Sequence, residues 1–148
     1  MGMYDNFLDI YLYLKTDEEL NRLLYYPPMT STVLDPLDKK LPDIMRMDVV
    51  KRSEIINDRL LKSNKTSDLE KKRLCRLYMY AGDRRTDRNS FLIADQDIVL
   101  DIMCHSEYEN GDFRTMRITD RLNTIFSNER VTGIGKCQFV GGRTINAP

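Results

Sequence analysis

A row of ionisable side chains at odd positions between Ser90 and Glu107 is the first arrangement that could do chemistry. Its members are Asp95, Asp97, Asp101, His105 and Glu107. Hard divalent cations prefer oxygen ligands and can activate water, so Asp95 and Asp97 could serve a metal-dependent phosphodiesterase. In a strand, however, positions 95 and 101 lie roughly 20 Å apart at about 3.3 Å per residue, too far to share one ion. The row is better interpreted as the less buried face of a strand, and we expect no catalytic, cofactor-binding or metal-binding residue.

Cys104 and His105 are adjacent, which argues against a shared site. Neighbours on a strand point to opposite faces, so this pair can neither ligate one ion nor act as nucleophile and base. His105 is the only histidine of the chain. The three cysteines are few and far apart, which indicates buried free thiols in a reducing compartment. The Gly133-Ile-Gly-Lys136 segment lacks the Gly-Lys-Ser/Thr ending of a phosphate loop, so we assign it no nucleotide.

Two groups of arginines could bind phosphates or another protein. The first is Arg84, Arg85 and Arg88 in a polar segment; the second is Arg114, Arg117 and Arg121, whose i, i+3, i+7 spacing places them on one helix face. Acidic residues are interleaved with both groups, and no aromatic platform for nucleic-acid bases accompanies them. Arginine forks pair well with carboxylates at protein interfaces. We therefore expect a protein interface, and non-specific contact with DNA stays open as the weaker alternative.

The elements that must position these residues follow from hydrophobic periodicity. Apolar residues at even positions predict a strand from Ser90 to Glu107 with one face in a core: Leu92, Ala94, Ile98, Leu100, Ile102 and Cys104. Lys72 to Ala81 alternates in the same way, and the polar residues 82–89 between the two runs predict the tip of an antiparallel hairpin.

A turn at Asn110-Gly111-Asp112 separates the hairpin from a predicted helix. Asp112 would cap this helix, which runs to about Ser127 and buries one apolar side: Phe113, Met116, Leu122, Ile125 and Phe126. A glycine-punctuated strand over residues 133–140 follows, and residues 143–145 could add a short last strand.

The N-terminal third predicts helix, then loop, then helix. Residues 4–25 have helical spacing with a kink near Lys15, a capping box of Thr16 and Glu19, and a stop at the two prolines 27 and 28. The proline-rich loop 26–43 carries Leu34 and Leu37, too apolar for a free linker, so we expect it to contact a neighbour in this chain or in another. Residues 48–62 favour a short helix.

Composition bounds the class of protein. The 148 residues carry 23 basic and 23 acidic side chains, so there is no overall polyanion-binding signature. No apolar run reaches the roughly 18–20 residues that span a bilayer. The first residues lack the basic region of a signal peptide, so we expect a soluble domain made inside the cell. We predict one α+β domain over residues 1–148, built as a two-layer sandwich. Along the chain it consists of an N-terminal helix (1–25), a loop and short helix (26–67), and a hairpin–helix–strand core (68–148).

Taken together, three segments resemble those of small phage neck proteins. They are the hairpin with its Ala94–Ile102 strand, the Asp112–Leu122 helix and the Val131–Lys136 strand. The order of elements is similar to that of the tail terminator, or tail completion, proteins of long-tailed bacteriophages, over roughly residues 68–145. The proline-rich loop departs from that pattern.

The resemblance implies a structural virion protein without an active site or cofactor. Such proteins form a ring, usually hexameric, that caps the tail tube and joins it to the connector at the head–tail junction. Assembly in the host cytoplasm and a final place in the virion neck would follow, with the tail tube protein and neck proteins as partners and no membrane. The arginines of both groups, Leu34 and Leu37 would then lie at interfaces. A connector adaptor or stopper remains an alternative, as does the phosphodiesterase.

Overall fold

A computed structural model describes residues 3–62, 74–87 and 90–126. Along these residues the chain forms five α-helices and a three-stranded mixed sheet. In chain order they are α1 (Met3–Lys15), α2 (Glu18–Tyr25), a 3-10 turn (Ile44–Arg46), α3 (Val49–Arg59), β1 (Leu60–Leu61), β2 (Cys75–Asp87), β3 (Ser90–Cys104), α4 (Ser106–Asp112) and α5 (Arg114–Phe126). The predicted turn at 63–68 and the predicted strands at 133–140 and 143–145 lie outside the described residues.

The sheet has the order β1-β2-β3, with β2 in the centre. Strands β2 and β3 are antiparallel neighbours, which confirms the predicted hairpin, and the short β1 runs parallel to β2. The polar residues lie at the far end of this hairpin, but the connection is shorter than the predicted 82–89, because β2 continues to Asp87 and β3 begins at Ser90. Polar residues can extend a hairpin since ladder hydrogen bonds use only backbone groups. The register shifts between Ala81 and Arg84, where Gly82 lies close to Val99.

One face of the sheet forms the main core with the helices. Cys75, Leu77 and Met79 are buried on β2, and their partners in register are the apolar even positions of β3. The helices supply the other side of this core: Ile10, Leu14, Leu20, Leu23, Leu24, Ile56, Ile118, Leu122 and Ile125. Helices therefore pack as one layer on a sheet, and the predicted two-layer α+β class is confirmed.

The first predicted helix is two helices with a break at residues 16 and 17. The Asp17 carboxylate accepts a 2.8 Å hydrogen bond from the Leu20 backbone N–H and so caps α2. Thr16 instead donates its hydroxyl hydrogen to the Leu12 carbonyl at the end of α1. The predicted capping box, with Thr16 as the cap, is therefore wrong by one residue.

The junction after β3 also differs from the prediction. β3 ends at Cys104, and His105 caps a short helix by accepting a hydrogen bond from the Glu107 N–H. The predicted turn at Asn110-Gly111-Asp112 lies inside this helix, α4. Gly111 lets Pro28 pack closely against α4, because a Cβ at position 111 would lie 2.7 Å from the Pro28 Cβ.

Helix α5 begins after Phe113, whose backbone is left-handed with φ of 53°. Asp112 does not cap this helix, since it is the last residue of α4 and points into the protein. The prediction that Phe113 and Met116 are buried is wrong, whereas Leu122 and Ile125 are buried as predicted. The short helix predicted within 48–62 is confirmed as α3, and β1 at its end was not predicted.

Candidate interaction surface

Arg114, the first arginine of the predicted group on α5, is fully buried and does not face a partner. Its guanidinium donates to both Asp112 carboxylate oxygens at 3.0 and 2.9 Å. It also donates to the carbonyls of Leu23, Tyr26 and Pro27 at 2.6, 2.7 and 2.9 Å, and it lies over the Tyr108 ring. These carbonyls are at the C-terminal end of α2, where helices leave acceptors unpaired. The predicted interface role of Arg114 is therefore wrong, because the side chain joins α2 to the α4–α5 junction.

Arg117 and Arg121 are partly exposed and are ion-paired within the chain. Arg117 donates to Asp35 of the proline-rich loop at 2.9 Å and lies 3.7 Å from Asp112. Arg121 donates to both oxygens of Asp17 at 3.0 and 2.6 Å and lies 2.8 Å from Glu19. The hydrogen bond with Asp17 raises the pKa of Arg121. Their place at an interface remains a prediction, and each already tightens the packing of α5 against α2 or the loop.

The pKa of Asp35 is lowered by its surroundings. Partial burial disfavours its charged form, but the hydrogen bonds from Arg117 and from the Leu37 N–H, together with the charges of Arg117 and Arg114, outweigh it. The loop between α2 and the 3-10 turn is thus held to α5 through an ionised carboxylate.

Arg22 holds the same loop from the side of α2. It is buried, and it donates to the carbonyls of Asp38 and Leu41 at 3.1 Å each and to Glu18 at 2.8 Å. The Tyr26 hydroxyl donates to the Pro42 carbonyl. The sequence left open whether the loop contacts its own chain or another one. These contacts show that it is bound within its own chain.

The remaining predicted interface residues lie on β2, in the proline-rich loop and outside the described part of the chain. Arg84 and Arg85 lie on β2, with backbones paired to Gln96 and Asp95, and Arg88 lies outside the described residues. Leu37 is partly buried against the main core, and Leu34 is 41% exposed. Leu34 is thus the predicted apolar residue that remains available to a partner.

The predicted carboxylate row does not lie along one strand. Asp95, Asp97 and Asp101 belong to β3, but His105 caps α4 and Glu107 lies inside it. Asp101 accepts a 2.5 Å hydrogen bond from the Tyr80 hydroxyl, which raises the tyrosine pKa. In the part of the chain whose side chains are described, no three His, Cys, Asp or Glu residues gather as metal ligands.

Exposed apolar side chains lie at the junction of α4 and α5, where the sequence predicted burial, and in the loop that contacts this junction. Phe113 is 74% exposed and Met116 is 63% exposed, three residues further on. The loop borders this region, since the Met29 N–H donates to Asp112 at 3.2 Å and Asp35 binds Arg117. Met29, Val33 and Leu34 of that loop are also exposed. We call these five residues the apolar corner.

Comparison with known proteins shows the family of this α+β protein. A family model named YomW matches residues 17–148. The SPbeta prophage-derived uncharacterized protein YomW of Bacillus subtilis (strain 168) is 32% identical over 127 residues, which cover 80% of this chain and 72% of the relative. No solved structure gives a significant match. Among the described residues, no helix is long and apolar enough to cross a membrane.

The fold and these matches define a phage-related α+β protein. The chain belongs to the YomW family.

Proposed function

We propose that this protein is a structural, non-catalytic subunit of a tailed-phage particle that forms a ring at the head–tail junction. In this role it caps the tail tube and joins it to the connector. Relatedness to a prophage-derived protein supports a phage role, and the α+β fold agrees with the neck-protein resemblance. A connector adaptor or stopper would use the same kind of ring at another level of the neck.

The observation that carries the proposal is the apolar corner. Large apolar side chains scattered singly are ordinary on a protein surface, but grouped ones indicate an interaction site. Phe113 is exposed at the cost of a left-handed backbone, which disfavours a bulky L-residue by about 1–2 kcal/mol. A ring needs a heterologous interface, in which one face of a subunit contacts a different face of the next. Under this proposal the apolar corner is one such face.

The first test is the mass of the purified chain, measured by light scattering coupled to gel filtration over a range of concentrations. We expect a closed oligomer, with rings visible in negative-stain images of the large peak. If the chain is a monomer alone, the same measurement is repeated with the tail tube protein. A chain that stays monomeric in both would contradict the proposal.

Phe113→Gly separates assembly from folding. Glycine adopts the left-handed backbone without strain, so the melting temperature of the monomer should stay the same or rise slightly. The exposed ring is lost, so the oligomer should dissociate at concentrations where the natural chain is assembled. Val50→Thr is the matched control, because Val50 is 65% exposed on α3 and lies outside the corner.

Charge reversal at Arg117 or Arg121 would be a poorer test of assembly. Both side chains are ion-paired inside the chain, so reversal would loosen α5 itself. The phosphodiesterase alternative has its own test, since Asp95→Asn and Asp97→Asn should abolish metal-dependent cleavage of a phosphodiester. Under the ring proposal both variants assemble normally.

A further inference from the structure

Cys75 and Cys104 lie directly opposite each other on β2 and β3. The His105 N–H donates to the Leu74 carbonyl, so the flanking pair is hydrogen-bonded and the cysteine pair is the non-hydrogen-bonded kind. Opposite Cα atoms in such a pair are about 4.5 Å apart, within the range of about 4.4–6.8 Å that a disulfide requires. Both thiols are free. A bond between the sulfurs therefore needs no movement of the strands.

The two thiols differ in access. Cys75 is fully buried, and Cys104 is partly exposed. Burial, followed by the neighbouring Cys104 thiol, raises the pKa of the Cys75 thiol. An oxidant from solution therefore meets Cys104 first, and Cys75 is the neighbour that can resolve the product.

We propose that Cys75 and Cys104 are a redox modification site at which hydrogen peroxide installs a cross-strand disulfide. The Cys104 thiolate attacks one peroxide oxygen, the O–O bond breaks, and the departing hydroxide becomes water with the thiol proton. The Cys75 sulfur then attacks the sulfur of the Cys104 sulfenic acid. The S–S bond forms, the S–O bond breaks, and water leaves with the Cys75 proton. Two thiols are oxidised and one peroxide is reduced to two waters.

The disulfide would close the whole β2–β3 hairpin at its base. The bond would fix Cys104, two residues before the first residue of α4. If the proposed neck role is correct, the chain would be reduced during assembly in the cell and oxidised once the particle is released, because virion surfaces meet oxidising conditions. That timing rests on the proposed function, whereas the reactivity of the pair does not.

The test treats the purified, reduced full-length chain with stoichiometric hydrogen peroxide. We expect an intact mass about 2 Da lower, a non-reduced peptide map that links Cys75 to Cys104, and a melting temperature roughly 5–10 °C higher. Dithiothreitol should reverse all three changes. The Cys137→Ser chain should behave identically, which excludes exchange with the third thiol.

Two single variants keep the proposal open to contradiction. In Cys75→Ser, Cys104 should stop at a sulfenic acid that dimedone traps, without the rise in melting temperature. In Cys104→Ser, the buried Cys75 should not react. If natural chains accumulate Cys104 oxygen adducts while Cys75 remains a thiol, the proposal is wrong. A disulfide in a chain that never assembles would contradict only the neck role, and a ring without the disulfide would contradict only this site.

Discussion

Arg114 carries five N–H donors, and each has an acceptor inside the protein. Two go to one carboxylate and three to backbone carbonyls at the end of α2. A lysine offers three donors and no planar fork, so it cannot replace this set. The side chain is therefore a structural element of the core and not a contact for another molecule.

Arg114→Met should lower the free energy of unfolding by about 3–5 kcal/mol, because it leaves the buried Asp112 without its main partner. Arg114→Lys should lower it by about 2–3 kcal/mol through the carbonyls left unpaired. Urea unfolding followed by circular dichroism measures both changes. Arg46→Met is the control, since the Arg46 side chain is 89% exposed, and it should change stability by less than about 0.5 kcal/mol. Equal effects at both positions would contradict the structural role.

Asp35 predicts a pH dependence with a definite sign. Its pKa is lower in the folded protein than its ordinary value of 3.8, so its stabilising contribution is complete above that value. The contribution is lost as the pH falls through the lower, folded pKa. The stability difference between the natural chain and Asp35→Asn should therefore shrink in urea unfolding series as the pH is lowered through 3.8 and below. Arg117→Gln should remove most of this dependence, and parallel curves would count against the ion pair.

At the scale of elements, the α1–α2 break depends on Asp17. Its carboxylate accepts a hydrogen bond from the Leu20 N–H and also binds Arg121. One residue therefore caps the start of α2 and holds α5 against it. The neighbouring Thr16 bonds only backward, to carbonyls of α1.

Asp17→Ala should lower the free energy of unfolding by about 1–2 kcal/mol, the usual cost of losing an N-cap together with its ion pair. Thr16→Ala should change it by less than about 0.5 kcal/mol. Asp17→Ser should fall between the two, because a hydroxyl can cap but cannot pair with Arg121. Thermal unfolding ranks the three variants. The capping box expected from the sequence predicts the reverse order for Thr16 and Asp17, so the ranking decides between them.

Elements with a strong local period were predictable from the sequence. Alternation placed the hairpin and chose the inward face of β3, and Ile98, Leu100 and Ile102 do pack against the main core. The boundaries of the elements were not predictable in the same way. For example, α4 contains an Asn-Gly pair, which usually marks a turn. Gly111 is small there so that Pro28 can approach, which depends on a segment far along the chain.

At the scale of the whole molecule, the role of the arginines could not be predicted from their own spacing. Their i, i+3, i+7 pattern shows a shared helix face but not whether that face is buried. One signal was present elsewhere: α2 ends in Tyr-Tyr-Pro-Pro, without a glycine or asparagine to close its last carbonyls. A helix end of that kind needs donors from another part of the chain. Arg114 and Arg59 provide them.

The bond from Arg114 to the Leu23 carbonyl spans 91 positions of the chain. During biosynthesis, α2 therefore leaves the ribosome and waits roughly 5–20 s for its partner at common translation rates. Until then the carbonyls at the C-terminal end of α2 can accept hydrogen bonds only from water. The N-terminal helices also lack the part of their core that α5 supplies. A nascent chain arrested at Cys104 should be cut readily by protease, whereas the released full-length protein should resist. Early protection of the arrested chain would mean that the N-terminal helices fold without α5.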